Sequence, residues 1–318
     1  MPESPTKPRS FLHRFSAYGD LTLKFQAWGA RVCPPYLEPL FIAFYSSVFF
    51  LVAAPIRRAL MTNLKVLFPE KSATTRFLDA YRIVWNFSFT VADATRARHG
   101  ESIIDWELEG VDHLEAISTA SEGAVLLTAH MGNYDVAAPL FAQKLKRPFN
   151  AVRAPERHPE TQEWMEQQLA THGSEHYRIR YNKDDRLLGL ELVQAISRGE
   201  VVAIQGDRVM FDVAPFPLDL APSGVGEKLY RFRLPKGPFV LAQVTGAPIY
   251  PVFILRTGWR RYRVKALPPF HCRVESRDRE AAVEKAARHW VDDILMPVIR
   301  EHWTQWFVFE PAFEPTDS

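Results

Sequence analysis

The chain has 318 residues, 47% of them hydrophobic and 24% charged. That composition is globular and excludes a disordered, collagen-like or low-complexity protein. Two cysteines, Cys33 and Cys272, are too few for a disulfide framework or a cysteine-based zinc site, so the chain reads as one of a reducing compartment. The net charge of +2 is uneven. Residues 1–71 carry nine Lys/Arg against four Asp/Glu, while the remainder carries 30 against 33. A positive first quarter suits a surface facing anionic lipid, and nothing resembles a basic nucleic-acid-binding domain.

In chain order, residues 1–20 are read as a disordered tail and 21–100 as a helical, membrane-associating region. Residues 101–318 are read as the catalytic domain. Leu21–Val32 predicts an amphipathic helix stopped by Pro34 and Pro35. Leu40–Ala54 is 15 residues without a charge, between Pro39 and Pro55. As a helix it spans about 22 Å, short of a bilayer core of about 30 Å. It predicts a helix that dips into one leaflet or is buried in the protein. Arg57 and Arg58 follow directly and suit lipid phosphates, or are simply solvated. Residues 72–98 predict a helix, without Gly or Pro and with apolar Phe77, Tyr81, Val84, Trp85 and Phe89.

From about Leu108 apolar β-type runs alternate with helical segments. Strands are predicted at Ala124–Thr128, Phe149–Arg153, Val201–Gln205 and Ile249–Leu255, with Arg261–Leu267 as an edge strand. Helices are predicted at Asp135–Lys146, Pro159–His172, Leu187–Arg198, Phe239–Thr245 and Arg277–Ile299. Alternation of this kind implies an α/β fold with a mostly parallel central sheet flanked by helices. In such sheets the site lies at the carboxyl ends of the strands.

The first such end carries Ala129-His130-Met131-Gly132-Asn133-Tyr134-Asp135. A histidine leaving a strand is suited to general-base work, because its charge changes near neutral pH. It needs a carboxylate to fix its tautomer, and Asp135, in the first turn of the next helix, is the expected partner. Gly132 allows close approach, and the backbone N–H groups near Met131 and Gly132 are the expected oxyanion donors. The His-x4-acid spacing alone is weak, since His158 and Glu163 share it. The strand-to-helix junction is what singles out His130. Neither cysteine lies near a motif, and no G-x-S-x-G elbow occurs. Metal clusters and glycine-rich nucleotide loops are also absent from the sequence pattern, so neither a metal nor a nucleotide cofactor is expected.

The His130–Asp135 turn resembles that of the lysophospholipid acyltransferase superfamily, and within it the bacterial late lipid A (lauroyl/myristoyl) acyltransferase branch. Four further blocks carry the resemblance, in order over roughly residues 57–310. They are Arg58 with Asn63-Leu64 and Phe68-Pro69-Glu70; Gly199-Glu200-Val201-Val202 with Gly206-Asp207-Arg208; Phe232 and Pro235-Lys236-Gly237-Pro238 with Thr245 to Phe253; and Trp303, Trp306 and Phe307. Two segments depart from the pattern, the shorter apolar stretch at 40–54 and a longer, Pro-rich connection at 209–230.

The resemblance implies a glycerol-3-phosphate acyltransferase-like fold. It also implies transfer of a fatty acyl chain from an acyl carrier protein or coenzyme A thioester to a hydroxyl of a lipid or glycolipid, by a His-Asp dyad without a covalent intermediate. The carrier or coenzyme A is then a co-substrate, and the protein is expected to be peripheral or monotopic at the cytoplasmic face of the bacterial inner membrane. Asn133, Arg153, Asp207, Arg208, Lys236 and Gly237 are the expected substrate contacts. Two alternatives stay open: a thioesterase or lipid hydrolase using water, and a non-catalytic lipid-binding protein.

Overall fold

The computed structural model describes residues 33–98, 103–155, 176–182, 187–209, 215–221, 229–273 and 278–316, together with Gly29 and Gln162. The tail 1–20 and the helices expected at 21–32 and 159–172 lie outside the described residues, apart from Gly29 and Gln162.

Three helices open the described chain: α1 (Glu38–Val52), α2 (Ala54–Leu67) and α3 (Ala73–Arg98). α1 and α2 meet at Ala53 with a bend of 88°. Pro39 and Pro55 each fall in the first turn of a helix, where a missing N–H costs nothing. Phe50 of α1, Leu60 and Leu64 of α2, and Ala80, Ile83 and Val84 of α3 form a shared buried cluster. No single described helix is long and apolar enough to cross a membrane.

The rest of the described chain is built on a seven-stranded sheet. Its strands are β1 (Asp105–Glu109), β2 (Ala124–Thr128), β3 (Phe149–Arg153), β4 (Tyr177–Tyr181), β5 (Val201–Gln205), β8 (Ile249–Gly258) and β9 (Arg261–Ala266), in the order β1-β9-β8-β2-β5-β3-β4. All neighbours are parallel except β8 and β9. Between β5 and β8 a small antiparallel sheet is made by β6 (Pro215–Leu220) and β7 (Tyr230–Pro235), joined by β10 (Phe313–Pro315). β6 lies within the connection 209–230.

Side chains alternate across the central strands. Val125 and Leu127 of β2 pack with Val202, Phe253 and Trp290 on one face. Ala124 and Leu126 pack with Val201, Tyr250 and Ile254 on the other. Burial on both faces is why these strands read as continuous apolar runs. The flanking helices are α4 (Val111–Thr119), α5 (Tyr134–Leu145), α6 (Leu188–Ser197), α7 (Gly237–Thr245), α8 (Arg279–Arg288) and α9 (Met296–Glu301).

Two expectations are corrected. Arg261–Ala266 is not an edge strand, because β1 pairs along its outer side over all five of its residues. The long helix expected at 277–299 runs from Arg279 to Glu301 and carries a π-helical segment, His289–Leu295, between α8 and α9. That segment turns Trp290 inward. Its indole donates to the Gly206 carbonyl at 2.9 Å, and its ring stacks on Phe253 at 5.7 Å.

Buried charge fastens the N-terminal helices to the β8–β9 hairpin. Arg96 of α3 and Arg260 both reach Glu38 Oε2, at 3.1 and 2.6 Å. The Tyr262 hydroxyl donates to Asp93 Oδ2 at 2.7 Å. Burial pushes the Asp93 carboxyl up to about 6, against that hydrogen bond and the pull of Arg256.

Candidate active site

The parallel register of β2 and β5 places Thr128 beside Gln205. Two residues beyond each lie His130 and Asp207, so the two side chains leave the same edge of the sheet from neighbouring strands. The His130 ring nitrogen Nδ1 lies 2.7 Å from Asp207 Oδ1, and the His130 backbone N–H donates to Oδ2 at 3.0 Å. The indole of Trp306 also donates to Oδ2, at 3.0 Å. Asp207 is 0% exposed. Burial alone would raise its pKa; the His130 charge, the two hydrogen bonds from His130 and Arg208 outweigh that and hold the carboxyl below its usual range.

An ionised Asp207 accepts, so Nδ1 carries the proton and Nε2 keeps a free electron pair. Arg208 Nε donates to that pair at 3.3 Å, and Arg208 Nη1 pairs with Glu310 Oε1 at 3.3 Å. Tyr134 stands edge-on to the imidazole at 5.7 Å.

The turn that holds His130 is tight. Met131 N–H donates back to Ala129 O at 2.7 Å, and the His130 carbonyl accepts from Phe307 N–H at 2.8 Å. Gly132 has φ +55°, and a Cβ there would stand 2.1 Å from the Ile254 carbonyl oxygen. Only glycine fits between this turn and β8. Asn133 is buried, and its Nδ2 donates to Thr90 O of α3 at 3.3 Å.

The carboxylate at Nδ1 is therefore Asp207, which corrects the expected pairing with Asp135. Asp135, in the first turn of α5, forms its ion pair with Arg153 at the end of β3, at 3.1 Å. Both are partly exposed. Tyr177, beside this pair on β4, is pushed up to about 12 by burial and stays neutral. The Met131 amide, expected as an oxyanion donor, is already engaged by Ala129.

The remaining expected residues fall elsewhere. Lys236 pairs with Glu280 at 3.0 Å and precedes α7, which begins at Gly237. Arg57 donates to Phe50 O at 2.6 Å and Leu51 O at 3.0 Å, so it caps the carboxyl end of α1, where helix carbonyls lack partners. Arg58 is exposed and donates to Ala54 O at 3.4 Å. Among the described residues, no group of three or more His, Cys, Asp or Glu is placed to hold a metal ion.

The family model for bacterial lipid A biosynthesis acyltransferases matches residues 14–314. The chain belongs to that family. Comparison with curated proteins gives no match. A member of the bacterial lipid A biosynthesis acyltransferases is an enzyme of acyl transfer, and every residue of the cluster around His130 falls inside the matched span. In this family member, Asp207 and Arg208, expected as substrate contacts, lie against His130 itself. Trp306 entered only as part of a family block, and Glu310 carried no sequence signal. Only the shared sheet edge of β2 and β5 pointed to Asp207, and no local spacing pointed to the other two.

Proposed function

We propose that the chain transfers a fatty acyl group from a thioester, on acyl carrier protein or coenzyme A, to a hydroxyl of a membrane lipid or glycolipid such as a lipid A precursor. The observation that carries this reading is a His130 whose Nδ1 is held by an ionised, fully buried Asp207, which leaves Nε2 as the acceptor of the pair. The acceptor hydroxyl gives its proton to Nε2 as its oxygen attacks the thioester carbonyl. Asp207 stabilises the imidazolium that forms. Collapse of the tetrahedral intermediate breaks the C–S bond, and the proton on Nε2 leaves with the thiol. No covalent acyl-enzyme is required.

Arg208 occupies Nε2 in the free protein, so it moves aside for the acceptor. Its tether to Glu310 is a partly exposed ion pair, the kind that yields at small cost. Once displaced, its guanidinium is placed for the developing oxyanion or for a phosphate of the acceptor. Incubating the purified protein with labelled acyl thioester and a lipid A precursor in vesicles tests this. The expected product is a lipid heavier by one acyl chain; release of free fatty acid alone would mean a hydrolase.

The acceptor class fits the surface of α1. Leu40, Phe44 and Leu51 are 69, 71 and 67% exposed along one side, while Ile42, Ser46 and Phe50 are buried on the other. A contiguous apolar face of this kind marks a docking surface, and the basic excess in residues 1–71 selects an anionic one. Fifteen residues and an 88° bend suit a helix lying in one leaflet, at the cytoplasmic face of the inner membrane. Phe44→Asp is expected to release most of the protein from anionic vesicles in a sedimentation assay at any salt concentration. Retention of full vesicle binding would remove α1 as the anchor.

A further inference from the structure

The segment from Trp303 to Ala312 crosses the catalytic turn like a strap. Met131 and Trp306 form an antiparallel bridge, and Phe307 N–H holds the His130 carbonyl at 2.8 Å. The strap is pinned from the opposite side by Asn63 of α2. Asn63 Nδ2 donates to Val308 O at 3.3 Å and Glu310 O at 2.9 Å, and Asn63 Oδ1 accepts from Ala312 N–H at 2.8 Å. The strap thus brings one neutral donor, the Trp306 indole N–H, to a carboxylate that is wholly withdrawn from water.

We infer that Trp306 is a positioning residue for acyl transfer, fixing the Asp207 carboxylate so that Oδ1 meets His130 Nδ1. The inference rests on the dyad reading above. A carboxylate turns about its last side-chain torsion, which has broad wells. Oδ2 receives the His130 backbone N–H and the Trp306 indole N–H, both at 3.0 Å. The backbone donor belongs to the same residue that Asp207 must orient, so it cannot set the carboxylate independently. Trp306 comes from a third segment, anchored to α2, and supplies an external reference.

Among the described residues, few charged groups stand around the dyad. Arg208 stands at Nε2, Glu310 lies behind Arg208, and the Asp135–Arg153 pair sits past the turn. None of these replaces the indole donor at Oδ2. The indole is 3% exposed and packs on Phe313 at 6.0 Å, so a purely steric role is the rival explanation.

The deciding experiment replaces Trp306 with benzothienylalanine, which keeps the ring shape and removes only the N–H. The readouts are kcat, KM and the pH profile of kcat/KM. The expected result is a fall in kcat of about 10-fold with KM unchanged. The acid limb should also move to higher pH, because a carboxylate with one donor fewer pulls harder on the imidazolium. Trp306→Phe should move the limb in the same direction and also lower the unfolding midpoint. An isostere with unchanged kcat and an unmoved limb would overturn the inference, as would a loss in Trp306→Phe that appears only in stability. Full activity in Asp207→Ala would instead sink the dyad reading itself, which keeps the two failures apart.

Discussion

His130→Ala is expected to lower turnover by about 10²–10⁴-fold, the usual contribution of a general base. Asp207→Ala should cost a comparable factor, because a buried imidazolium without its carboxylate is both misoriented and unstabilised. The double variant should be no worse than His130→Ala, since two residues that act as a unit do not add. Asp135 behaves differently. Its ion pair is with Arg153, so the losses in Asp135→Asn and Asp207→Asn should multiply in the double variant. Steady-state kinetics on these single and double variants decides the matter. If Asp135→Asn proves non-additive with His130→Ala while His130 and Asp207 prove independent, the carboxylate that serves the base is Asp135.

Gly132→Ala is the second large effect. The substitution adds a methyl 2.1 Å from the Ile254 carbonyl oxygen and 2.7 Å from its carbon, on a residue with φ +55°. The left-handed backbone costs an L-residue roughly 1–2 kcal/mol. The overlap is with the backbone of β8, which at Ile254 is paired to Val264 of β9 and so resists moving. The turn must lift, carrying His130 away from Asp207. Expected outcomes are a loss of stability above about 2 kcal/mol in urea unfolding and a fall in turnover above about 10²-fold. Gly189→Ala is the matched control, because its Cβ meets nothing within 4 Å and it sits inside α6. It should leave turnover unchanged and stability equal or higher. Equal behaviour of the two variants would mean that the turn is not held against β8.

The central strands were legible because they are covered on both faces, so AVLLT and VVAIQ stand out as apolar runs. β1 was not legible. Its sequence, DWELE, is polar, and its pairing with β9 is reinforced by Glu107 and Glu109 meeting Arg263 and Lys265 across the ladder. An edge strand stabilised by charge leaves no apolar pattern to read. The site divides in the same way. His130 was found because a strand end, a glycine and a helix start coincide in seven consecutive residues. Its partner was assigned by nearness in sequence, whereas the sheet joins residues 77 positions apart through strand register. Trp306 depends on a strap fastened by a side chain 243 positions earlier, Asn63, and nothing in the composition of that segment announces such a contact.

The order in which the polypeptide emerges from the ribosome gives the strap a temporal consequence. Helices α1 to α3, with the exposed apolar face of α1, are made first, and His130 and Asp207 follow in the middle of synthesis. The indole that sets the carboxylate arrives about a hundred residues after Asp207, and Phe307 and Ala312 secure it only later still. At the usual pace of about 5–20 residues per second, that interval lasts several seconds. A nascent chain thus presents the exposed apolar face of α1 well before the residues around Asp207 are complete, so under the proposed function a lipid surface can be met before the chain is competent.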